Sequence, residues 1–537
     1  MRLREQTDIS EASPLFGNCY LLMARVCLQL LFHYSTWWFG KRPYKPAKGR
    51  SEELLEHEHL GRNITANVEE TRTNLDLGLG YGLGVDMTAW QTSQSGSTDE
   101  KSAELRRRLS SRTDCDSNFW AFSELRSRSG NHALFQYPAM MVPELQGALL
   151  DDLIAVEDDI SLVYDPFSGS GTVMLESLYR GINYYGSDIN PMAILLCEVK
   201  STPPDVEIAS NAVSLVVTLA EASASCDFDF PNIDKWFKFE IKDGLSRLRR
   251  SIVKHPNKVV RKFLWVCFAE TIRLVSNSRI STFKLHTYSQ EDIARRGTDA
   301  IKVFKIVCEQ NLSRLKLHWS RILARPNQEI FPKAVLISGS VSGVCKAPQL
   351  ADVLMTSPPY GDNKTTVPYG QHSYLALRWI DPIDLHDGFD PFLLSSTSRI
   401  DTLSLGGSLR FADLARNELC TASPSLANFL RKIEHAGPLR KKTLSFCRDY
   451  RESLMMISPR LKLGAFCFFT LGERRIGGKI FPLVDITKEF LTANGHEIVT
   501  TIERMLPGSR KRMAAKNSEG STMATEWILV TRSWGGA

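Results

Sequence analysis

The chain has no CxxC pair, no internal repeat and no extended low-complexity tract. Its eleven cysteines are scattered. Without closely spaced Cys pairs, a zinc ribbon or finger is not expected. A disulfide framework is not expected either, because 537 residues suffice for an ordinary hydrophobic core. The cysteines therefore read as free thiols of a reducing, cytoplasmic compartment. A strong excess of one charge is also missing: 66 Lys and Arg stand against 60 Asp and Glu, for a net charge of +6. That balance permits a nucleic-acid partner without demanding one. Long apolar runs are scarce. The best lies within Leu15–Gly40, and Arg25 and His33 interrupt it. A membrane span needs about 20 mostly apolar residues, so an amphipathic helix is expected there, rather than a span or a signal peptide.

What is present is an ordinary globular composition, 43% hydrophobic and 23% charged, long enough for two or three domains. Residues 1–117 read as a partly disordered N-terminal extension, and 41–118 are polar enough to suggest a linker or mobile arm. The run Arg106-Arg107-Arg108 with Arg112 is expected to be a solvated face more than a phosphate contact. Ordered structure is expected from about Asn118. SLVYDPF is a short apolar strand running into a glycine-rich turn, TVMLESLYRG is a helix closing on Gly181, and NYYGSDINP is the next strand and turn. This strand–loop–helix–strand unit opens a doubly wound α/β sheet over 118–204. Residues 205–330 carry apolar positions at helical spacing and many basic residues, which predicts a helical insertion between the second and third strands. The sheet resumes over 331–380 with KAVLISGSV and ADVLMTSPPY. Residues 381–440 are irregular, and 441–537 supply a helix, a strand, a helix and two further strands.

Two loops carry chemistry. The first is DPFSGSGT, Asp165 to Thr172. Gly169 and Gly171 allow a sharp turn and close approach of a ligand. The helix beginning at Thr172 offers free N–H groups suited to a carboxylate. Asp165 can accept from an ammonium group or sit beside a sulfonium cation. No Lys follows the glycines, so a P-loop is excluded, and Met174 stands where a dinucleotide fingerprint has its third glycine. Such a loop suits the methionine end of S-adenosylmethionine (AdoMet). Asp188 ends the second strand, where an acid is placed to accept from ribose hydroxyls. It competes with a plain helix N-cap before Pro191.

The second loop is TSPPYGD, Thr356 to Asp362. It suits an exocyclic amine on a nucleobase. That nitrogen is a poor nucleophile because its lone pair is delocalised into the ring. Acceptors that hold its N–H groups draw it toward tetrahedral geometry and free the lone pair for in-line attack on a methyl group. Ser357 Oγ and the Pro358 carbonyl are the expected acceptors. Pro358 and Pro359 stiffen the loop and remove competing donors. Tyr360 offers a face for a base flipped out of a duplex.

DPFSGSGT followed by TSPPYGD resembles the bacterial DNA amino-methyltransferases, the N4-cytosine and N6-adenine modification methylases. The likeness extends over roughly 118–532, through HALFQYPAMMVPEL, GDNKTTVPYGQHSYLALRW and TLGERRIGG to TMATEWILV. The resemblance implies a class I AdoMet-dependent methyltransferase fold, a Rossmann-like seven-stranded sheet with a helical and a second, loop-rich insertion. It implies AdoMet as methyl donor, double-stranded DNA as partner and no metal, in the setting of restriction–modification. It implies Ser357, Pro358, Pro359 and Tyr360 as the catalytic tetrapeptide. Cofactor contacts implied are Tyr137, Pro138, Asp165, Phe167, Gly169, Gly171, Thr172 and Asp188. In this family the first residue of the tetrapeptide is usually Ser in cytosine-N4 enzymes and Asp or Asn in adenine-N6 enzymes, so Ser357 favours cytosine N4. The alternatives are the adenine-N6 enzyme of the same fold and, further off, a catalytically silent DNA-binding protein. Methylation at cytosine C5 needs a nucleophilic cysteine, typically in a Pro-Cys pair, and no such dipeptide occurs. One departure is Ser340, which stands where many relatives carry an acid near the adenine of AdoMet. For DNA, residues 381–440 are expected to read bases. The basic positions Arg247, Arg249, Arg250, Lys254, Lys258, Arg261 and Lys262 of the helical insertion read equally as a face that tracks phosphates and as a packed lid with a solvated basic face, and the Arg510-Lys511-Arg512 loop is a further phosphate candidate.

Overall fold

A computed structural model describes residues 88–125, 127–224, 228–324, 331–341, 349–363, 366–506 and 523–534, with side chains from residue 100. The Leu15–Gly40 segment and the Arg510-Lys511-Arg512 loop lie outside the described residues.

Seven strands form one sheet: β1 (Leu162–Asp165), β2 (Asn183–Asp188), β3 (Ala334–Ser338), β4 (Ala351–Thr356), β5 (Leu461–Gly472), β6 (His496–Met505) and β7 (Thr525–Ser533). Their order is β3-β2-β1-β4-β5-β7-β6. The first five pair in parallel, and β7 runs antiparallel to both β5 and β6. This is the seven-stranded, mostly parallel α/β sheet of a class I methyltransferase. β1 is buried along its whole length, as expected of a central parallel strand covered on both faces. Successive residues serve opposite layers. Leu162 and Tyr164 pack with the helices of 424–457 and 483–492, while Val163 faces Leu145, Leu149 and Val173.

Helix α1 (Thr88–Cys115) overturns the expectation of a linker up to Asn118. Leu105 and Leu109, one turn apart, are buried in the layer that also holds α2 (Pro143–Ile154) and α3 (Thr172–Tyr179). Its arginines are structural. Arg106 Nε donates to the Val499 carbonyl at 2.9 Å, and Arg112 makes a bidentate pair with Asp152 at 2.6 and 2.9 Å. Arg107 and Arg108 pair with Glu104 on the same helix.

After β2 come α4 (Pro191–Ser201) and then four long helices before β3: α5 (Val206–Ala222), α6 (Phe239–Val253), α7 (Lys258–Val275) and α8 (Ala300–Leu323). They share one hydrophobic cluster with α4 and with α9 (Tyr369–Trp379), which follows the second loop. Most of their basic residues are committed within the chain. Arg261 forks onto Asp384 at 2.7–3.0 Å. Arg249 bonds the Trp379 carbonyl and Asp381, Lys262 pairs with Glu198, Arg247 with Asp243, and Arg250 reaches the Ala224 carbonyl. Lys258 lies 3.9 Å from Asp387, and Lys254 is exposed. Arg249, Arg261 and Lys258 thus fasten the insertion to the end of α9 and the segment after it, while Arg247, Arg250 and Lys262 bond within the helical layer.

Residues 381–440 are less irregular than expected. They hold helices over Arg399–Leu403, Arg416–Ala422 and Pro424–Lys432, with short 3₁₀ turns between. Helix α10 (Gly437–Ile457) then leads into β5. Among the described residues no helix is long and apolar enough to cross a membrane.

Candidate active site

Strand order places the site. Going outward from β1, the chain winds one way to β2 and β3 and the other way to β4 and β5. The loops after β1 and β4 therefore leave adjacent strands at the point where the winding reverses, which is where open α/β sheets form their ligand crevice. One cavity of about 280 Å³ opens there. Its wall includes Gly169 and Thr172 of the first loop and Ser357 and Pro359 of the second, although some 190 residues separate them in sequence.

The first loop is held by its own strand ends. Gly169 and Gly171 have φ of +48° and +70°, the left-handed region that glycine adopts freely. Gly171 also admits no side chain, since a Cβ there would lie 2.8 Å from Cys197 Sγ. Ser168 N donates to the Ser187 carbonyl at 3.0 Å, and Tyr184 OH donates to Ser168 Oγ at 2.8 Å. Below, the buried Lys200 Nζ donates to the Ser170 carbonyl. Burial pushes that ammonium down to about 7. No side chain caps the first turn of α3, so its leading N–H groups stay available to an anion.

Asp165 sits beneath this loop and is not part of the cavity wall. Its Oδ1 accepts from Phe167 N at 3.0 Å and from Thr356 Oγ1 at 2.6 Å. Thr356 is the residue just before Ser357, so this bond ties the two loops together directly. Oδ2 is buried with no hydrogen-bond partner among the described residues. Burial raises the Asp165 carboxyl to about 7 against the loss of charge solvation, with the Thr356 bond opposing. Asp188 does face the cavity. Its Oδ2 accepts from Gly169 N and its Oδ1 from Asn190 N, both at 2.8 Å. Each oxygen keeps a lone pair for a further donor. Burial raises this carboxyl to about 6.

Tyr137 and Pro138 line the opposite side, followed by Ala139, Met140 and Met141. Asn190 joins this segment to α9: its Nδ2 donates to Tyr137 OH at 3.0 Å and to Ser373 Oγ at 2.8 Å. Tyr137 stacks on Tyr369, with centroids 5.7 Å apart and planes 28° from parallel. Gly339, Ser340 and Val341 form the wall at the end of β3.

In the second loop, Ser357 and Pro359 face the cavity, while Pro358 is buried and Tyr360 is not on the wall. Tyr360 OH lies 3.3 Å from Ser357 Oγ and donates to Glu526 Oε1 at 3.3 Å. Its ring lies so close to Gly472 that a Cβ there would come within 2.5 Å of it. The ring thus braces the loop against the end of β5, a contact that its expected stacking role did not foresee. Thr356, Asn190, Tyr369 and Lys200 were missed from sequence. Thr356 lies within TSPPYGD and Asn190 within NYYGSDINP, a signal that could have found them; nothing local marks Lys200.

These residues fit S-adenosylmethionine. An uncapped helix terminus faces the carboxylate position, Asp188 offers acceptors to a diol, and Pro138, Met140, Met141 and Phe167 supply apolar wall. Among the described residues no His, Cys, Asp and Glu are grouped to hold a metal ion.

The sheet order and the switch-point cavity are those that the resemblance to methyltransferases implies. The comparisons with known proteins agree at that level. The chain is 28% identical over 462 residues to the Type II methyltransferase M.MvaI of Kocuria varians, covering 81% of this chain and 98% of that protein. It is 32% identical over 108 residues, 20% of each chain, to the Type II methyltransferase M.MjaII of Methanocaldococcus jannaschii. No family model matches. Among solved structures, the rRNA methyltransferase aviRa of Streptomyces viridochromogenes aligns with 76% of this chain and 95% of its own. At 11% identity and a TM-score of 0.26, that likeness is too low to bear on fold or activity.

Proposed function

We propose that the chain is a site-specific DNA methyltransferase that uses S-adenosylmethionine to methylate cytosine N4 in double-stranded DNA. The observation that carries this is the single cavity shared by the glycine-rich loop and the Ser-Pro-Pro-Tyr loop. The full-length likeness to a Type II methyltransferase supports DNA as the substrate. Ser357, in place of the acid or amide usual in adenine enzymes, supports cytosine.

When bound, S-adenosylmethionine supplies an electrophilic methyl group on a sulfonium. The α3 terminus and the loop 166–172 orient its methionine end, and Asp188 its ribose, with Asp165 contributing negative charge from below. Tyr137 and Pro138 close the pocket and exclude water. Ser357 Oγ and the Pro358 carbonyl accept from the target amine and hold its lone pair in line with the methyl group. Thr356, bonded to Asp165, keeps that acceptor in register with the cofactor loop. Residues 400–405 reach the cavity wall, which supports the segment 381–440 as the part that meets the target strand.

The test is to incubate the protein with tritiated S-adenosylmethionine and unmethylated DNA, digest to nucleosides and identify the labelled one. Label in N4-methylcytosine is expected. Label in N6-methyladenine overturns the choice of base, and label on RNA alone overturns DNA as substrate. Ser357→Ala should retain cofactor binding and lose about 100-fold or more in turnover. Full activity in that variant would sink the role given to the serine.

A further inference from the structure

Asn363 is the residue whose polarity the structure leaves unspent. It is 4% exposed, lines the cavity six positions beyond Ser357, and its Oδ1 is buried with no hydrogen-bond partner among the described residues. Leaving a buried amide oxygen unpaired costs about 1–3 kcal/mol, so an orphan at a cavity wall marks a place for a ligand donor.

The side chain is held there by its surroundings. The Asp362 carbonyl accepts from both Thr366 N at 3.1 Å and Thr366 Oγ1 at 2.8 Å. Asp362 itself is clamped between Arg474, 4.0 Å away, and Gly406, where a Cβ would lie 3.1 Å from the Asp362 Cβ. The occupant at this end of the cavity follows from strand order. The loop bearing Asn363 leaves β4, whereas the wall 339–341 leaves β3, and β1 and β2 lie between. Three strand spacings of about 4.8 Å put roughly 14 Å between them. Asn363 therefore faces the reacting end, beside the acceptor that grips the amine.

We propose that Asn363 reads the edge of the flipped base, with Oδ1 accepting from one amino N–H and Nδ2 donating to the adjacent ring nitrogen. This rests on the function proposed above. A carboxamide presents an acceptor and a donor side by side. The edge it complements has an exocyclic amine next to an unprotonated ring nitrogen, as at N4 and N3 of cytosine. Thymine and uracil present a carbonyl next to an N–H and are refused. One amine hydrogen goes to Asn363, and the other is shared between Ser357 Oγ and the Pro358 carbonyl.

The experiment uses the full chain and a duplex carrying the mapped target base, or its 3-deaza analogue, which keeps the amine and lacks the ring acceptor. For cytosine, Asn363→Ala should lower kcat/KM by about 10- to 100-fold with S-adenosylmethionine affinity unchanged. On the 3-deaza duplex the gap between wild type and variant should shrink toward the contribution of Oδ1 alone. Asn363→Asp keeps the acceptor and has a donor only when protonated, so its activity relative to wild type should rise as pH falls. It serves also if the Ala variant does not fold. An equal gap on both duplexes, together with a flat relative pH profile for the Asp variant, overturns the assignment. So does a parallel loss of cofactor affinity, which would place the amide against the methionine end. Label on no DNA base sinks this inference along with the proposed function. Label on DNA with an equal gap and a flat relative pH profile sinks the role of Asn363 alone.

Discussion

At the residue scale, the two buried carboxylates of the cofactor loop cost the empty protein stability. Asp165 titrates at about 7 and Asp188 at about 6, both raised by burial from an ordinary value of 3.8. A carboxyl whose folded-state pKa is raised contributes stability that is fully present below its unfolded pKa. That stability is lost as pH rises through the folded value. The cofactor-free protein should therefore lose thermal stability from these groups between about pH 4 and pH 7, and Asp165→Asn should flatten that slope. At pH 8 the variant should melt higher without cofactor, by about 1 °C per kcal/mol recovered for a chain of this length, while binding S-adenosylmethionine more weakly. Calorimetric melts at pH 5.5 and 8, with and without S-adenosylmethionine, check both parts. A variant as pH-dependent as wild type would show that another group sets the slope. The residue types of this loop were legible from sequence. That Asp165 lies under the loop and bonds Thr356 was not, because that contact joins positions brought together only by β1–β4 pairing.

At the element scale, the helical insertion is fastened through one buried acid. Asp384 is fully buried and accepts from both Arg261 nitrogens and from Trp265 Nε1 at 2.8 Å. Removing one partner of a buried pair leaves the other charge uncompensated, which typically costs 3–5 kcal/mol. Asp384→Ala should lower the urea midpoint accordingly, and Asp384→Ala with Arg261→Met should recover part of the loss. If the double variant is no better than the single, the pairing is not what Asp384 supplies. The four helices were legible from their apolar spacing. Their basic residues were misjudged because periodicity shows that a residue is off the core face and says nothing of a carboxylate from a distant segment. Helix α1 was missed for a related reason. Only Leu105 and Leu109 mark its buried side, one turn apart among Ser, Arg and Glu, and the layer that covers them is built far downstream.

At the scale of the whole molecule, the net charge is +6, and several basic residues of the helical insertion are paired within the chain. Each phosphate neutralised on duplex DNA contributes about 0.9 to the slope of log affinity against log salt. Arg249→Ala removes a charge held by Asp381 and the Trp379 carbonyl, so the slope should match wild type even though stability falls. Replacing Arg510, Lys511 and Arg512 with Ala should reduce it by up to about 3. Titrations of labelled duplex at several salt concentrations measure both. A reduced slope for Arg249→Ala would return the insertion to the DNA-binding surface.

The strand order along the chain and the residue types of two loops were legible in local sequence. Those depend on local periodicity, on glycine and proline geometry, and on residue types at short spacing. Tertiary structure decided what those elements meet. The reversal of winding at β1 and β4 brings DPFSGSGT and TSPPYGD to one cavity. Non-local pairing turns arginines of the insertion into fasteners, and the Asn363 oxygen is left without a partner among the described residues at that cavity wall. Burial and charge pairing are sums over neighbours in space, and the parallel sheet assembles those neighbours from positions far apart in the chain.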